Sequence, residues 1–536
     1  MRVFLLLLGG LLSQAPQVSS ITGTVIGADT GSPLTDATVR VSPGGAETKT
    51  DSQGRYELHG LSPGNQTVSA SVPIEGRARV LANRRQVSLT AGIALSGVDF
   101  RIPTFGQISG RVLDENKEPV PGVTVMLIAR EYSHGALRYI YTRATVTDDQ
   151  GGYTLGRIPA GRAWLLMAQS RAGRLPSIAD APADPKLRRK VASDTWYPNS
   201  RDAAGAQQLT LRFGEHREAV DFQLIRVPSF CVEGKIERDG SALPMSFILA
   251  DASPSGGEVG GSSMFTNPPN GLAAADGRFR ICELPRGNYV LSANPATNSP
   301  AFFGSVPFTI TDHDVKGLKL TPGPRVSMAG EVVFEGPEPE KPVEGKLSLS
   351  LLPLTRPPYA SESGLHVQAD IPRSFSFDGL FINEYGFDSV ALPGSLYIKS
   401  MTYGTQSILY KPLRVGSAMG DAGIRIVMGT DGGQISAKVT DKNGNAIGDS
   451  WVHILPDQVV SEAMLAAVFV SGQTDQNGAW TSKSLAPGKY YVLATTGPVD
   501  KSPEDINRLW QARVRAQEVT VTKSPAVAVK IIILPE

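Results

Sequence analysis

The sequence predicts an all-β chain, a tandem array of about five antiparallel β-sandwich domains with one short C-terminal helix. Three observations carry that expectation. A polar turn followed by two alternating apolar strands recurs five times, which is the hairpin signature. Glycine and proline are abundant, 56 and 39 of 536 residues, as many short strands joined by turns require. The length far exceeds a single core, since a domain takes about 150 residues.

Taken in order, the chain opens with a leader. Met1-Arg2 is a short positive start, Val3 to Leu8 with Leu11 and Leu12 is apolar, and Gln14 to Ser20 is small and polar. That three-part pattern reads as a secretory signal of about residues 1–20, too short to span a membrane. Five sandwiches are expected after it, at 21–103, 104–228, 229–324, 325–432 and 433–536. Each begins with a β-rich strand carrying a glycine (Gly23, Gly110, Gly234, Gly330), replaced in the fifth by Ala437. The recurrent hairpins run from Asp51 through Tyr56 to Pro63-Gly64, from Asp148 through Tyr153 to Gly161, and from Asp276 through Phe279 to Gly287. The fourth is placed at Gly386 to Val390 with Pro393-Gly394, and the fifth runs from Asp475 through Trp480 to Pro487-Gly488. Each unit is expected to close on a pair of strands, as in Val87–Leu89 with Val98–Phe100. The helix is read from Ser502 as N-cap, Pro503 at the first position and Glu504 and Asp505 in the first turn, with Leu509, Trp510 and Val514 on one face.

This order of glycine strand, polar turn, Asp-x-x-Gly-x-Tyr and Pro-Gly-x-Tyr resembles the carboxypeptidase regulatory-like domain. The match is best at Gly23–Val68, Gly110–Trp164 and Ile435–Val492 and weakest in the fourth unit. The resemblance implies a transthyretin-like sandwich of about seven strands per unit. The family takes its name from a module beside zinc carboxypeptidases, whose metal motif is a His and a Glu three residues apart. None of His59, His134, His216, His313, His366 or His453 precedes a Glu at the ligand spacing, so no metal site or cofactor is expected. Adhesin sandwiches of similar shape carry a lysine–asparagine staple. Lys235 and Lys438 are the possible lysines, but the closing strands offer no asparagine.

The Asp-x-x-Gly turns supply one carboxylate each where calcium needs six to eight oxygens, so they read as turns, Asp148-Asp149 being the nearest to an exception. No Gly-x-Ser-x-Gly elbow is present, and catalytic residues are not expected. The candidate ligand-binding residues are the aromatics of the second unit's insertions, Tyr132, Tyr139, Tyr141, Trp196 and Tyr197, which would stack on sugars or anchor a protein, or else fold back as small satellite cores. Cys231 and Cys282 lie 51 positions apart in one unit and read either as a disulfide or as two buried thiols.

A formal net charge of +1 provides no field for nucleic acid. The expectation is a secreted, periplasmic or extracellular, non-catalytic, monomeric rod without a membrane span that serves as a scaffold or adhesion module. Its partner would be a protein or polysaccharide at the cell surface. A carbohydrate-binding protein is the first alternative and an enzyme with an unrecognised site the second.

Overall fold

The computed structural model describes residues 19–532 apart from 29–30, 75–76, 103–104, 134, 170–189, 213, 252–269, 295–301, 325, 336–345, 354–364, 371–373, 381–382, 390–391, 393–395, 417–421 and 524–525. The expected leader lies outside the described residues except for Ser19 and Ser20. Those two already belong to the first strand, Ser19–Gly27, where the Ser19 hydroxyl donates to the Thr90 carbonyl. The basic run 186–190 lies outside them too, save Lys190.

Strands dominate, and the buried apolar side chains gather in five principal clusters along the chain. They run from Ile21 to Ile102, Ile108 to Leu224, Phe230 to Leu320, Met328 to Met428 and Ile435 to Ile531. Each is the filling between two sheets. In the first sandwich, Ser19–Gly27 pairs with Arg55–Leu61, while the facing sheet has the order Glu47–Lys49, Thr38–Ser42, Gly64–Ile74, Arg77–Leu89. Alternation explains the assembly: in Arg55–Leu61, Tyr56, Leu58 and Leu61 are buried while Arg55, Glu57 and His59 face water.

The two closing strands do not pair with each other, contrary to the sequence-based expectation. In the first sandwich Arg77–Leu89 joins Gly64–Ile74, whereas Phe100–Ile102 crosses to the other sheet and lies parallel to Ser19–Gly27. The fifth does the same, with Gln517–Val521 on Gly488–Thr495 and Val527–Ile532 parallel to Ile435–Thr440. A closing hairpin would leave the second edge of each opening strand unpaired, whereas the crossover covers it. Parallel pairing on the opening strand thus enters each otherwise antiparallel sandwich, in two stretches in the first and second and in one in the others.

The fourth hairpin also lies elsewhere than expected. The strand pairing with Val326–Glu335 is Ser374–Leu380, followed by Asn383–Ser389. Its alternating Phe375, Phe377 and Leu380 match Tyr56, Leu58 and Leu61, but no Asp-x-x-Gly turn precedes them. In the first four sandwiches the hairpin strand gains one residue at a bulge, where Gly60, Arg157, Glu283 and Gly379 have φ of 74°, 59°, 60° and 82°.

Two short helices flank the fifth sandwich. Helix α1 (Glu462–Val468) is absent from the sequence reading; Ser461 caps it by accepting from the Met464 N–H. Helix α2 (Pro503–Ala512) starts where its capping pattern indicates, with the Ser502 side chain accepting from the Asp505 N–H. Its buried face is Ile506 and Leu509 with Trp510 half-buried. Val514 lies past its end, in a 3-10 turn, and is 88% exposed. Among the described residues no helix is long and apolar enough to cross a membrane.

Candidate functional site

The aspartates that start the recurrent turns are held by the backbone. Asp51 Oδ1 accepts from the Gln53 and Arg55 N–H groups at 2.8 Å, and Asp148 Oδ1 accepts from Gln150 and Gly152 at 2.9 and 2.8 Å. Asp114, Asp441 and Asp475 repeat the arrangement. These bonds hold the Asp51 carboxyl below its ordinary range, the Arg55 N–H contributing most. Among the described residues no group of three or more His, Cys, Asp or Glu side chains is placed to hold a metal. A shallow groove of the second sandwich includes Arg111, Asp148, Glu218 and Asp221, but Asp148 serves the turn and Asp221 accepts from the Arg111 N–H.

The candidate aromatics do not form a platform. Trp196 is 1% exposed and sits with Met126, Ile128, Leu165 and Met167 on the outer face of the second sandwich, where Tyr139 meets it edge-on at 5.9 Å. Tyr141 is half-buried in the same cluster, and burial pushes its hydroxyl pKa up. Tyr197, half-buried, packs edge-on against Phe222 at 5.7 Å at the margin of the main core. These rings pack on their own sandwich because large apolar rings gain more from burial than from water. At Trp196 this is the satellite-core alternative rather than the stacking one.

Tyr132 has a different fate. The long hairpin of Thr124–Ser133 and Ala136–Val146 carries it to the fifth sandwich. There its N–H donates to the Lys501 carbonyl at 2.8 Å, its hydroxyl donates to Glu462 at 3.0 Å, and its ring packs on the cluster of Leu455, Leu465, Leu493, Ile506 and Leu509. Burial and the Glu462 bond both raise its pKa. The same face pairs Arg130 with Glu504 and Arg162 with Asp500. A second contact joins the first sandwich to the fifth. Arg85 pairs with Asp449, and the Gln476 amide donates to the Ser88 carbonyl at 3.0 Å while accepting from its N–H at 3.2 Å. The fifth sandwich therefore touches the first two, and the chain is not an extended rod. Nothing in the local pattern signals these contacts, which join residues 330 to 388 positions apart.

Two further features are internal. Cys231 and Cys282 are joined, with Cα atoms 4.0 Å apart on neighbouring strands beside the bulge of the third sandwich. His453, wholly buried on the sheet face beneath Phe469, lies 2.7 Å from the Ser471 hydroxyl at Nδ1 and 2.8 Å from Thr495 at Nε2. The Thr495 hydroxyl donates to the Gly497 carbonyl, so it accepts from Nε2, and Ser471 donates to Nδ1. Burial lowers the His453 pKa to about 4.

Repeated sandwiches built on one hairpin define the chain as a tandem transthyretin-like protein. The carboxypeptidase regulatory-like domain family matches residues 20–102 and 107–177, and the first two sandwiches are domains of that kind. Colossin-A of Dictyostelium discoideum is 23% identical over 514 residues, 86% of this chain; the chain spans only 4% of that protein's length. The solved Streptococcal ancillary pilin is 12% identical, covering 57% of this chain and 100% of its own, with a TM-score of 0.20. The Bacillus anthracis TIE protein is 12% identical, covering 97% and 75%, with a TM-score of 0.15. The major pilin subunit BcpA of Bacillus cereus is 13% identical, covering 57% and 99%, with a TM-score of 0.14.

Proposed function

We propose that the chain is a non-catalytic, exported scaffold whose sandwiches present surfaces to protein partners at the cell surface. One observation carries this reading: the polar residues recurring in the signature are consumed in building it. Asp51, Asp148 and Asp475 hold turns, and Tyr56 and Tyr153 bond to main-chain carbonyls inside the core. A rigid repeated framework with its chemistry spent on architecture suits binding through loops and edges. Proximity labelling from the tagged chain on intact cells, with fractionation, tests it. Labelled neighbours confined to the cytosol would sink the reading, as would chelator-sensitive turnover in a panel of hydrolase substrates.

The reading divides the mature chain at 103/104, 228/229, 324/325 and 432/433 and takes it to be monomeric. Limited proteolysis should release fragments ending near those junctions, and the molar mass in solution should not depend on concentration. Because Ser19 is already paired with Leu61, removal of the leader is expected to leave that residue on the mature chain.

A further inference from the structure

We infer that the fifth sandwich carries an acidic docking surface for arginines of the first two, so that ionic strength sets whether the chain is closed or open. The charges of the bridging pairs are segregated by sandwich, although Arg162 also pairs with Glu131 of its own sandwich at 3.0 Å. The cations at the contacts are Arg85 from the first and Arg130 and Arg162 from the second; the anions, Asp449, Asp500 and Glu504, all come from the fifth. Glu462, which accepts from Tyr132, adds a fourth carboxylate on that side. Such one-sided complementarity steers a specific encounter rather than gluing a permanent one.

The carboxylates are 32–42% exposed and stay within reach of solvent ions, whereas the arginines, 19–20% exposed, are screened less. Screening acts through the carboxylates: the Debye length falls from about 10 Å at 0.1 M salt to about 3 Å at 1 M. Among the described residues, Tyr132 is the ring that the second sandwich lends to the fifth's helical cluster. Closure is nonetheless favoured at low salt because the third and fourth sandwiches tether the two surfaces, making docking intramolecular.

Small-angle X-ray scattering of the full mature chain tests this at about 0.1 M and about 1 M sodium chloride, the two regimes of screening. The expected result is a radius of gyration and a maximum dimension that both rise at high salt. Glu504→Arg with Asp449→Arg should produce the same rise at low salt while circular dichroism stays unchanged. Adding Arg130→Glu and Arg85→Glu to that variant should restore the compact form. Equal dimensions at both salts, an open wild type at low salt, or a fourfold swap that stays open would overturn the inference. Dimensions that grow with protein concentration at low salt would assign the surface to a second copy and overturn intramolecular docking.

Discussion

The Tyr153 hydroxyl donates to the Val220 carbonyl at 2.6 Å, inside the second sandwich, and Gly110 lies against the same carbonyl. A Cβ on Gly110 would stand 2.0 Å from that oxygen. Tyr56, Val98 and Gly23 repeat the arrangement at 2.6 and 2.2 Å in the first sandwich. The cause is a break in the parallel pairing: the last segment pairs with the opening strand at both ends and bends inward between them, aiming one carbonyl at the core. Glycine leaves room for the bend and tyrosine satisfies the oxygen. In the fifth sandwich the pairing is continuous from Ile435 to Thr440, no carbonyl turns in, and Ala437 and Trp480 occupy the two positions.

Replacing Tyr153 or Tyr56 with Phe strands a buried carbonyl and should cost about 1–3 kcal/mol in the affected sandwich. Gly110→Ala should cost more than either, because backbone must move, whereas Ala437→Gly should cost only about 0.5–1 kcal/mol. Urea unfolding of the isolated second sandwich, and of the fifth, checks the ranking. A Gly110→Ala variant as stable as the parent would refute the close approach.

His453 should make the fifth sandwich acid-sensitive. Its pKa is about 4 when folded against an ordinary 6.5, so the unfolded chain binds the extra proton between those values. Stability is full above about pH 6.5 and falls toward pH 4 at up to about 1.4 kcal/mol per unit, with no further loss below. Thermal unfolding across that range should show the slope, and His453→Asn should flatten it.

A second acid limb belongs to the turns. The Asp51 and Asp441 carboxyls are held below their ordinary 3.8, so their contribution is present above that pH and disappears as pH falls through the lower folded values. Asparagine at Asp51 keeps the turn's acceptor without a titrating group. Asp51→Asn should therefore remove part of the loss below pH 3.8 in hydrogen exchange of the first hairpin.

Reduction should weaken the third sandwich alone. Closing a loop of 51 residues contributes about 4 kcal/mol in the chain-entropy model. Cys231→Ser with Cys282→Ser should raise exchange in residues 230–320 and leave the other four sandwiches unchanged; uniform loosening would contradict this.

Trp196→Ala should lower the stability of the second sandwich by about 3–5 kcal/mol, as for a large ring removed from a packed cluster. Binding of insoluble polysaccharide by the folded chain should not depend on this ring, because the indole offers no exposed face. A folded variant that loses such binding would reinstate it as a contact residue.

The hairpin repeat, the turn chemistry and the N-cap of helix α2 were legible because each rests on neighbours a few residues apart. Asp51 needs only Gln53 and Arg55 to declare itself, and Ser502 needs only Asp505. The fourth hairpin escapes the pattern because its turn lacks the aspartate that marks the others; the alternation of Phe375, Phe377 and Leu380 is its remaining signal. Exposed and buried aromatics look alike in a sequence, so the fate of Trp196 depended on which sheet face its insertion reached. The sequence by itself determined the sandwich class, the approximate number of units and the aspartate-marked hairpins, since periodicity and local hydrogen bonding are encoded over a few residues. Tertiary structure alone decided that the closing strands part company and that Tyr132, Arg130 and Arg85 meet the fifth sandwich. Those outcomes depend on edges and charges far apart along the chain, which become neighbours only after each core has formed.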